Sequence, residues 1–123
     1  MQWNLTDDRP IYAQLMETIT LSITSGALPA GSRLPSVRDL AAEAGVNPNT
    51  MQRALSELER AGLLYSQRTA GRFVTDQLEN ITQKRKELAM EQIHAFLRSM
   101  RDMGYTSEET IALIRQAIKE EEE

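Results

Sequence analysis

Apolar residues recur at helical spacing in five segments of the chain, which predicts five helices. In the first segment, between Pro10 and Gly26, isoleucine or leucine stands at every fourth position. The stretch SVRDLAAEAG predicts the second helix, and the third begins after the three residues GVN. Ser36 and Asn47 are the expected N-caps of these two helices, and Pro48 suits the first helical position of the third.

The other segments predict a loop, a hairpin and two further helices. LPAGSRLP, rich in proline and glycine, predicts a loop with room for one short strand. The β-prone runs LLYSQ and RFVT flank RTAG, which predicts a β-hairpin. A long helical pattern extends from about Thr75 to Met103, and Thr106 and Glu109 have the capping-box spacing that opens a last helix.

The third helix opens with polar residues that a cap alone does not explain. Two helices joined by a short glycine-containing turn form a helix-turn-helix, whose second helix enters the DNA major groove by its first turns. Asparagine and glutamine can pair bidentately with adenine, and arginine with guanine. The polar residues of this helix, with its cap, are therefore predicted to contact double-stranded DNA: Asn47, Asn49, Thr50, Gln52 and Arg53. The alternative is an ordinary solvated helix surface.

The hairpin after the third helix would be the wing of a winged helix-turn-helix, with Arg68 and Arg72 near phosphates or the minor groove. Arg38 could reach a phosphate or a base, and Ser36 with the N–H groups at helix starts could bind phosphate. As alternatives, Arg38 could pair with a neighbouring carboxylate and the hairpin arginines could be simply solvated. The predicted fold class is mostly α with a small β-hairpin.

Three motifs in order, PIYAQL, LPAGSRLPSVRDLA and GVNPNTMQRALSELERAGLL, resemble the GntR family of bacterial transcription regulators over about residues 9 to 76. The resemblance implies a winged helix-turn-helix domain at residues 1–76 that binds a palindromic operator as a dimer. By position, the family's DNA contacts fall on Arg38, Asn49, Thr50, Gln52 and Gly71 at the wing tip. The chain departs from the family pattern at Pro48 and Gln52, where many members have arginine, and at Thr69, which replaces the first wing glycine.

Residues 77–123 number 47, too few for the large effector domains that follow the winged helix in many family members. They resemble the short YtrA-type subgroup, whose C-terminal helices serve dimerisation. A helix of about 28 residues would span roughly 42 Å, and such a rod with one short helix cannot enclose a core of its own. A second copy is the expected partner, through the following residues: Leu88, Ile93, Phe96, Leu97, Met100, Ile111 and Ile114.

Charge and composition narrow the function further. The net charge of −4 argues mildly against nucleic acid, but residues 33–72 contain six arginines and four acidic residues, so a local basic face is expected. With no cysteine, one histidine and no phosphate-binding glycine loop, the chain is predicted to be no enzyme and to need no metal or cofactor. The absence of a secretion signal, and of any apolar run near the roughly 18 residues of a membrane span, predicts a cytoplasmic protein.

The sequence thus predicts a cytoplasmic regulator, more often a repressor in this family, that occupies operator DNA as a homodimer. Two alternatives remain open. One is a winged-helix module that binds proteins without specific DNA binding, which the net acidity slightly favours. The other is a DNA-binding regulator with a small-molecule effector site in its dimer interface.

Overall fold

The structure, a computed structural model, describes all 123 residues and confirms the predicted fold class, mostly α with one small hairpin. It forms two compact units: the first unit, Met1–Arg85, and the second unit, Lys86–Glu123. The functional division after residue 76 stays a prediction, because the compact units divide further on, within the long helix. In chain order the elements are α1 (Ile11–Thr24), α2 (Val37–Ala44), α3 (Pro48–Arg60), β1 (Leu64–Gln67), β2 (Gly71–Val74), α4 (Leu78–Asp102) and α5 (Ser107–Glu121).

α2 and α3 begin at side-chain caps and are separated by a tight turn. The Ser36 hydroxyl accepts a hydrogen bond from the Asp39 N–H at 3.1 Å, and the Asn47 side-chain carbonyl accepts one from the Asn49 N–H at 2.7 Å. Gly45 ends α2 in the left-handed region at φ 72°, where a side chain would strain the backbone. Both predicted caps are confirmed, and the turn fixes the direction in which α3 leaves α2.

The core of the first unit lies between α1, α2, α3 and the hairpin. α3 is its centre, because it packs against α1, α2 and β1. Burying one large apolar side chain contributes roughly 1.5–3 kcal/mol, so these contacts hold one face of α3 inside and leave the opposite face outside. Each of the four elements contributes buried side chains, among them Leu15, Ile19, Leu40, Met51, Leu55, Leu58 and Val74.

β1 and β2 form an antiparallel hairpin in which Leu64 pairs with Val74. The segment before α2 joins the other edge of β2 through a bridge from Arg33 to Phe73. Next to this bridge, the Leu34 N–H donates a hydrogen bond to a β2 carbonyl at 2.9 Å. The short strand expected in the loop is therefore present as a single bridge, and it ties the start of α2 to the wing.

The long helix α4 begins at Leu78, three residues after the predicted start at Thr75. Thr75 is buried, and its N–H donates to the Leu63 carbonyl at 2.9 Å, so the chain is still paired with the strand side of the fold at this point. The helical spacing of apolar residues does not predict that hydrogen bond. No helix of the chain is both long enough and apolar enough to cross a lipid bilayer.

The second unit consists of the later turns of α4, a turn at Gly104 and α5. The predicted capping box is confirmed: the Glu109 N–H donates to the Thr106 hydroxyl at 3.1 Å, and the Thr106 N–H donates to the Glu109 carboxylate at 3.0 Å. Met100 and Thr110 are the only buried residues of this unit. Two helices of this length therefore form defined secondary structure with almost no core.

Candidate nucleic-acid interface

α3 presents its polar residues on the side opposite to the core. Asn49 and Gln52 are exposed and Thr50 is half-buried, whereas the apolar residues of the helix are buried. The Gln52 side-chain amide donates a hydrogen bond to the Ser56 hydroxyl at 3.1 Å. This bond uses one amide hydrogen, so the second amide hydrogen and the carbonyl oxygen remain for the bidentate pairing that adenine requires.

The starts of α2 and α3 carry groups that can bind phosphate. Helix N-termini have a partial positive charge and unpaired N–H groups, which favour anions. Ser36 and Asn47 cap these helices through acceptor atoms alone, so the Ser36 hydroxyl hydrogen and the Asn47 amide hydrogens are available as donors. Arg38 is exposed on the first turn of α2 and has no carboxylate within 4.0 Å. The expected alternative, an ion pair of Arg38 with its neighbours, is not formed.

Arg53 differs from the other outward residues of α3 because its guanidinium lies over an aromatic ring. Its Cζ is 3.7 Å from the centroid of the Tyr12 ring on α1, which is a cation–π contact. The two residues lie on helices far apart in sequence, so no local pattern predicts this contact. The ring fixes the direction of the guanidinium, while the Arg53 side chain as a whole remains exposed.

Arg72, predicted to contact DNA, is directed toward α3. Its Nε donates to the Glu59 carboxylate at 2.5 Å, the Ser66 hydroxyl donates to the same carboxylate, and the Arg72 side chain is only 16% exposed. Burial opposes the charge on Glu59, but the hydrogen bonds from Ser66 and Arg72 outweigh it, so the pKa of Glu59 lies below its ordinary value. A contact of Arg72 with phosphate stays a prediction, and this geometry favours a structural role.

A groove of about 390 Å³ lies between the wing, the start of α2 and α3. Arg33 lines this groove as well, although sequence reasoning did not select it. Its place beside the wing depends on the bridge to Phe73, and the only local signal is a turn-rich segment with room for one short strand. The groove brings together predicted DNA contacts from all three elements: Ser36, Gln52, Arg68, Gly71 and Arg72.

Ion pairs neutralise most acidic residues of this region. Between residues 33 and 72, Glu43 pairs with the N-terminal amino group, Glu57 with Arg60, and Glu59 with Arg72. This surface is therefore basic although the chain as a whole carries −4. The arginines of the region that have no carboxylate within 4.0 Å are Arg33, Arg38, Arg53 and Arg68.

A helix-turn-helix with a polar outer α3 face, followed by a wing beside a basic groove, defines a winged helix-turn-helix DNA-binding protein. Residues 11–74 match the family described as "Bacterial regulatory proteins, gntR family". The chain belongs to the GntR family and is a DNA-binding transcriptional regulator.

Relatives of known sequence agree with this assignment. The chain is 36% identical over 107 residues to the HTH-type transcriptional regulator YhcF of Bacillus subtilis, a match that covers 87% of this chain and 88% of YhcF. It is 37% identical over 67 residues to the transcriptional repressor YtrA of the same organism, over 54% of this chain and 52% of YtrA. The predicted resemblance to the GntR family, with a YtrA protein among its relatives, is confirmed.

Solved structures share the fold. A GntR family transcriptional regulator from Listeria monocytogenes superposes with a TM-score of 0.85 at 35% identity, covering 91% of this chain and 98% of that protein. The DNA-binding domain of AraR in complex with operator ORE1 matches with a TM-score of 0.53 at 32% identity, covering 61% of this chain and 94% of that domain. The second match is to a domain bound to its operator.

Proposed function

We propose that this regulator represses transcription by binding a palindromic operator as a homodimer in the bacterial cytoplasm. Each first unit would bind one half-site of double-stranded DNA, and the second units would hold two copies together. The observation that carries the proposal is the presence, in one chain, of a polar and basic α3 surface and of a unit whose apolar residues lie open.

The second unit supports pairing with a second copy. Phe96 is 43% exposed and Ile111 48% exposed, so two large apolar residues of one small unit are left in contact with solvent. Met100, predicted for the interface, is only 8% exposed because its own chain already covers it, so we expect a smaller contribution from it than from the more exposed residues. The other residues predicted for the interface keep exposed or half-buried surface: Leu88, Ile93, Leu97 and Ile114.

A two-fold symmetric dimer fits both the exposed apolar surface of the second unit and the DNA. In such a pair the same patch meets itself, so one exposed apolar face satisfies both copies. Two helix-turn-helix units related by a two-fold axis bind half-sites about one helical turn apart, which makes the preferred operator a palindrome.

Readout of the operator would divide between two groups of side chains. Asn49, Thr50 and Gln52, exposed or half-buried on the first turns of α3, would contact base edges and set the sequence. Arg38 and Arg68, without acidic partners, would bind phosphates together with the helix N-termini and set the affinity. The protein would repress by occupying promoter DNA, and an effector that changes the angle between the two winged domains would release it.

In vitro selection tests this function directly. The purified chain is incubated with a random duplex library at about 150 mM salt, and the bound duplexes are sequenced. We expect an enriched palindrome for the native chain and its loss in Asn49→Ala and Gln52→Ala. Arg60→Gln is the matched control, because Arg60 lies at the far end of the same helix and pairs with Glu57 at 3.4 Å.

The result that would contradict the proposal is equal recovery of all duplexes by a folded native chain. Such a result would favour the alternative of a winged-helix module that binds proteins. Enrichment of a single non-repeated half-site would instead keep specific DNA binding and reject the homodimer.

A further inference from the structure

Two arginines of the wing region, Arg33 and Arg72, occupy opposite environments. Arg33 is exposed and has no carboxylate within 4.0 Å. Arg72 is 16% exposed and holds the Glu59 carboxylate at 2.5 Å. A cation that binds a DNA phosphate releases counterions from the DNA. Arg72 would have to leave a partly buried carboxylate to do so, which makes it the poorer candidate.

We propose that Arg33, rather than Arg72, is the cation beside the wing that contacts the DNA backbone, and that Arg72 is a positioning residue. In this assignment Arg72 and Glu59 fix the wing against α3, and Arg33 extends from the edge of the sheet into the groove. The proposal rests on the DNA-binding function above and names the residues that perform one part of it.

The position of Arg33 is fixed by backbone pairing and by close packing on the wing. The bridge to Phe73 holds its backbone, and its Nε lies 3.1 Å from where a Cβ on Gly71 would stand. Gly71 has φ +108°, a conformation that side chains rarely adopt, so glycine both permits the turn and leaves room for the guanidinium. The Arg33 side chain is therefore directed across the wing tip rather than away from it.

The neighbours of Arg33 place it on the DNA-binding face. Ser36 at the start of α2, Gln52 on α3 and Arg68 in the hairpin turn line the same groove. Each of these three residues is predicted to contact a phosphate or a base, and each comes from a different element. In this position the Arg33 guanidinium would contact the DNA backbone between α3 and the wing. A guanidinium is planar and can donate two hydrogen bonds to one phosphate.

Arg72 lines the same groove as Arg33, but its guanidinium is held by a carboxylate on α3. The Glu59 carboxylate on α3 accepts hydrogen bonds from both Arg72 and Ser66. These bonds join β2 and β1 to α3. Turning Arg72 toward DNA would leave Glu59 without its cation in a partly buried place. This ion pair therefore sets the angle between the wing and α3.

Salt dependence of DNA binding separates the two roles, because each phosphate contact contributes about 0.9 to the slope of log K against log salt concentration. The full-length chain and its variants are titrated with the selected duplex between about 50 and 200 mM salt. We expect Arg33→Gln to lower the slope by about 0.9 for each bound protomer and to raise Kd at physiological salt by roughly fivefold per protomer. Arg60→Gln, an exposed arginine at the far end of α3, should leave slope and Kd unchanged.

Arg72→Gln should raise Kd while leaving the slope as in the native chain, because it disturbs the wing angle without removing a phosphate contact. Arg72→Lys keeps a cation beside Glu59 and should restore part of the lost affinity. Circular dichroism and thermal melting establish that each variant is folded at the titration temperature.

Three outcomes would overturn the assignment. An unchanged slope in Arg33→Gln removes Arg33 from the DNA contacts, and a reduced slope in Arg72→Gln makes Arg72 a phosphate contact after all. Unchanged Kd in a folded Arg72→Gln removes its positioning role. Failure of the DNA-binding function itself is distinguishable, because then the native chain shows no specific binding in the same titration.

Discussion

The two units of the chain bury their apolar residues in different ways. In the first unit, α3 and its neighbours close a core in which residues such as Leu15 and Leu55 are almost completely buried. In the second unit only Met100 among the large apolar residues is buried, while Phe96 and Ile111 stay about half exposed. We therefore expect the first unit to be stable by itself and the second to depend on another molecule. We therefore propose that the first, closed unit recognises DNA and that the second, open unit mediates assembly.

The largest expected effect lies in the closed core. Leu55→Ala removes a side chain that is 1% exposed at the centre of α3, and should lower the free energy of unfolding by about 2–5 kcal/mol. Leu21→Ala is the control, because Leu21 on α1 is 59% exposed. This substitution should change the free energy of unfolding by less than about 0.5 kcal/mol. Urea unfolding followed by circular dichroism measures both. Equal losses in the two variants would mean that the core is not where the structure places it.

The open unit should respond to protein concentration instead. Phe96→Asp puts a charge into the exposed apolar surface and should weaken association by about 2–4 kcal/mol, as for a central interface residue. The native chain should then melt at a higher temperature as its concentration rises, and the variant should not. Leu78→Asp is the matched control, because Leu78 is a 65% exposed leucine of the same helix in the first unit. If both substitutions act alike, the second unit is not the site of assembly.

The sequence predicts the local features of the fold and misses those that join distant segments. Helical period, the caps Ser36 and Asn47 and the capping box at Thr106 are local, so they were predicted correctly. The helical period predicts the start of α4 three residues too early, because Thr75 pairs with Leu63, a contact that the period does not encode.

The sequence predicts candidate DNA contacts element by element, but not how those side chains pair with other elements. The outward residues of α3 follow from its period, and family resemblance supplied Gly71. The contacts that cross between elements could not be read from the chain: Arg53 on Tyr12, Arg72 on Glu59, and Arg33 beside the wing. Each depends on two segments that are distant in sequence and close only after folding.

A smaller effect should separate the two uses of Asn47 in the closed unit. Asn47→Ala removes the cap of α3 and should cost about 1 kcal/mol of stability. Asn47→Ser keeps an acceptor for the Asn49 N–H, so it should restore stability without restoring the amide donors that we propose contact DNA. Thermal melting and duplex titration measure the two effects separately. A serine variant with native DNA affinity would limit Asn47 to capping.

The contact between Tyr12 and Arg53 should have a still smaller effect. Tyr12→Leu removes the ring and should reduce stability by about 0.5–1 kcal/mol, whereas Tyr12→Phe keeps the ring face and should be nearly neutral. Because Arg53 keeps its charge in both, the salt slope of DNA binding should not change. Identical melting temperatures for the two variants would show that the ring contact is not stabilising.

The smallest effect is the pH dependence that comes from Glu59. Its pKa in the folded protein is lower than its ordinary value of 4.5, so its stabilising contribution is present above pH 4.5 and is lost as the pH falls below it. Glu59→Gln keeps hydrogen-bond acceptors but not the charge, and should flatten this part of the stability profile. Urea unfolding at several pH values below 4.5 compares the variant with the native chain. Parallel profiles would exclude a contribution from Glu59.

The mass of the protein–DNA complex shows whether the first unit binds DNA while the second unit joins two chains. Light scattering after size exclusion is applied to the full-length chain with a duplex that carries the selected palindrome. We expect a complex of two chains and one duplex, a free protein of twice the mass of one chain, and a single chain for Phe96→Asp. A free native chain that is monomeric at micromolar concentration and binds one chain per palindromic duplex would contradict this expectation.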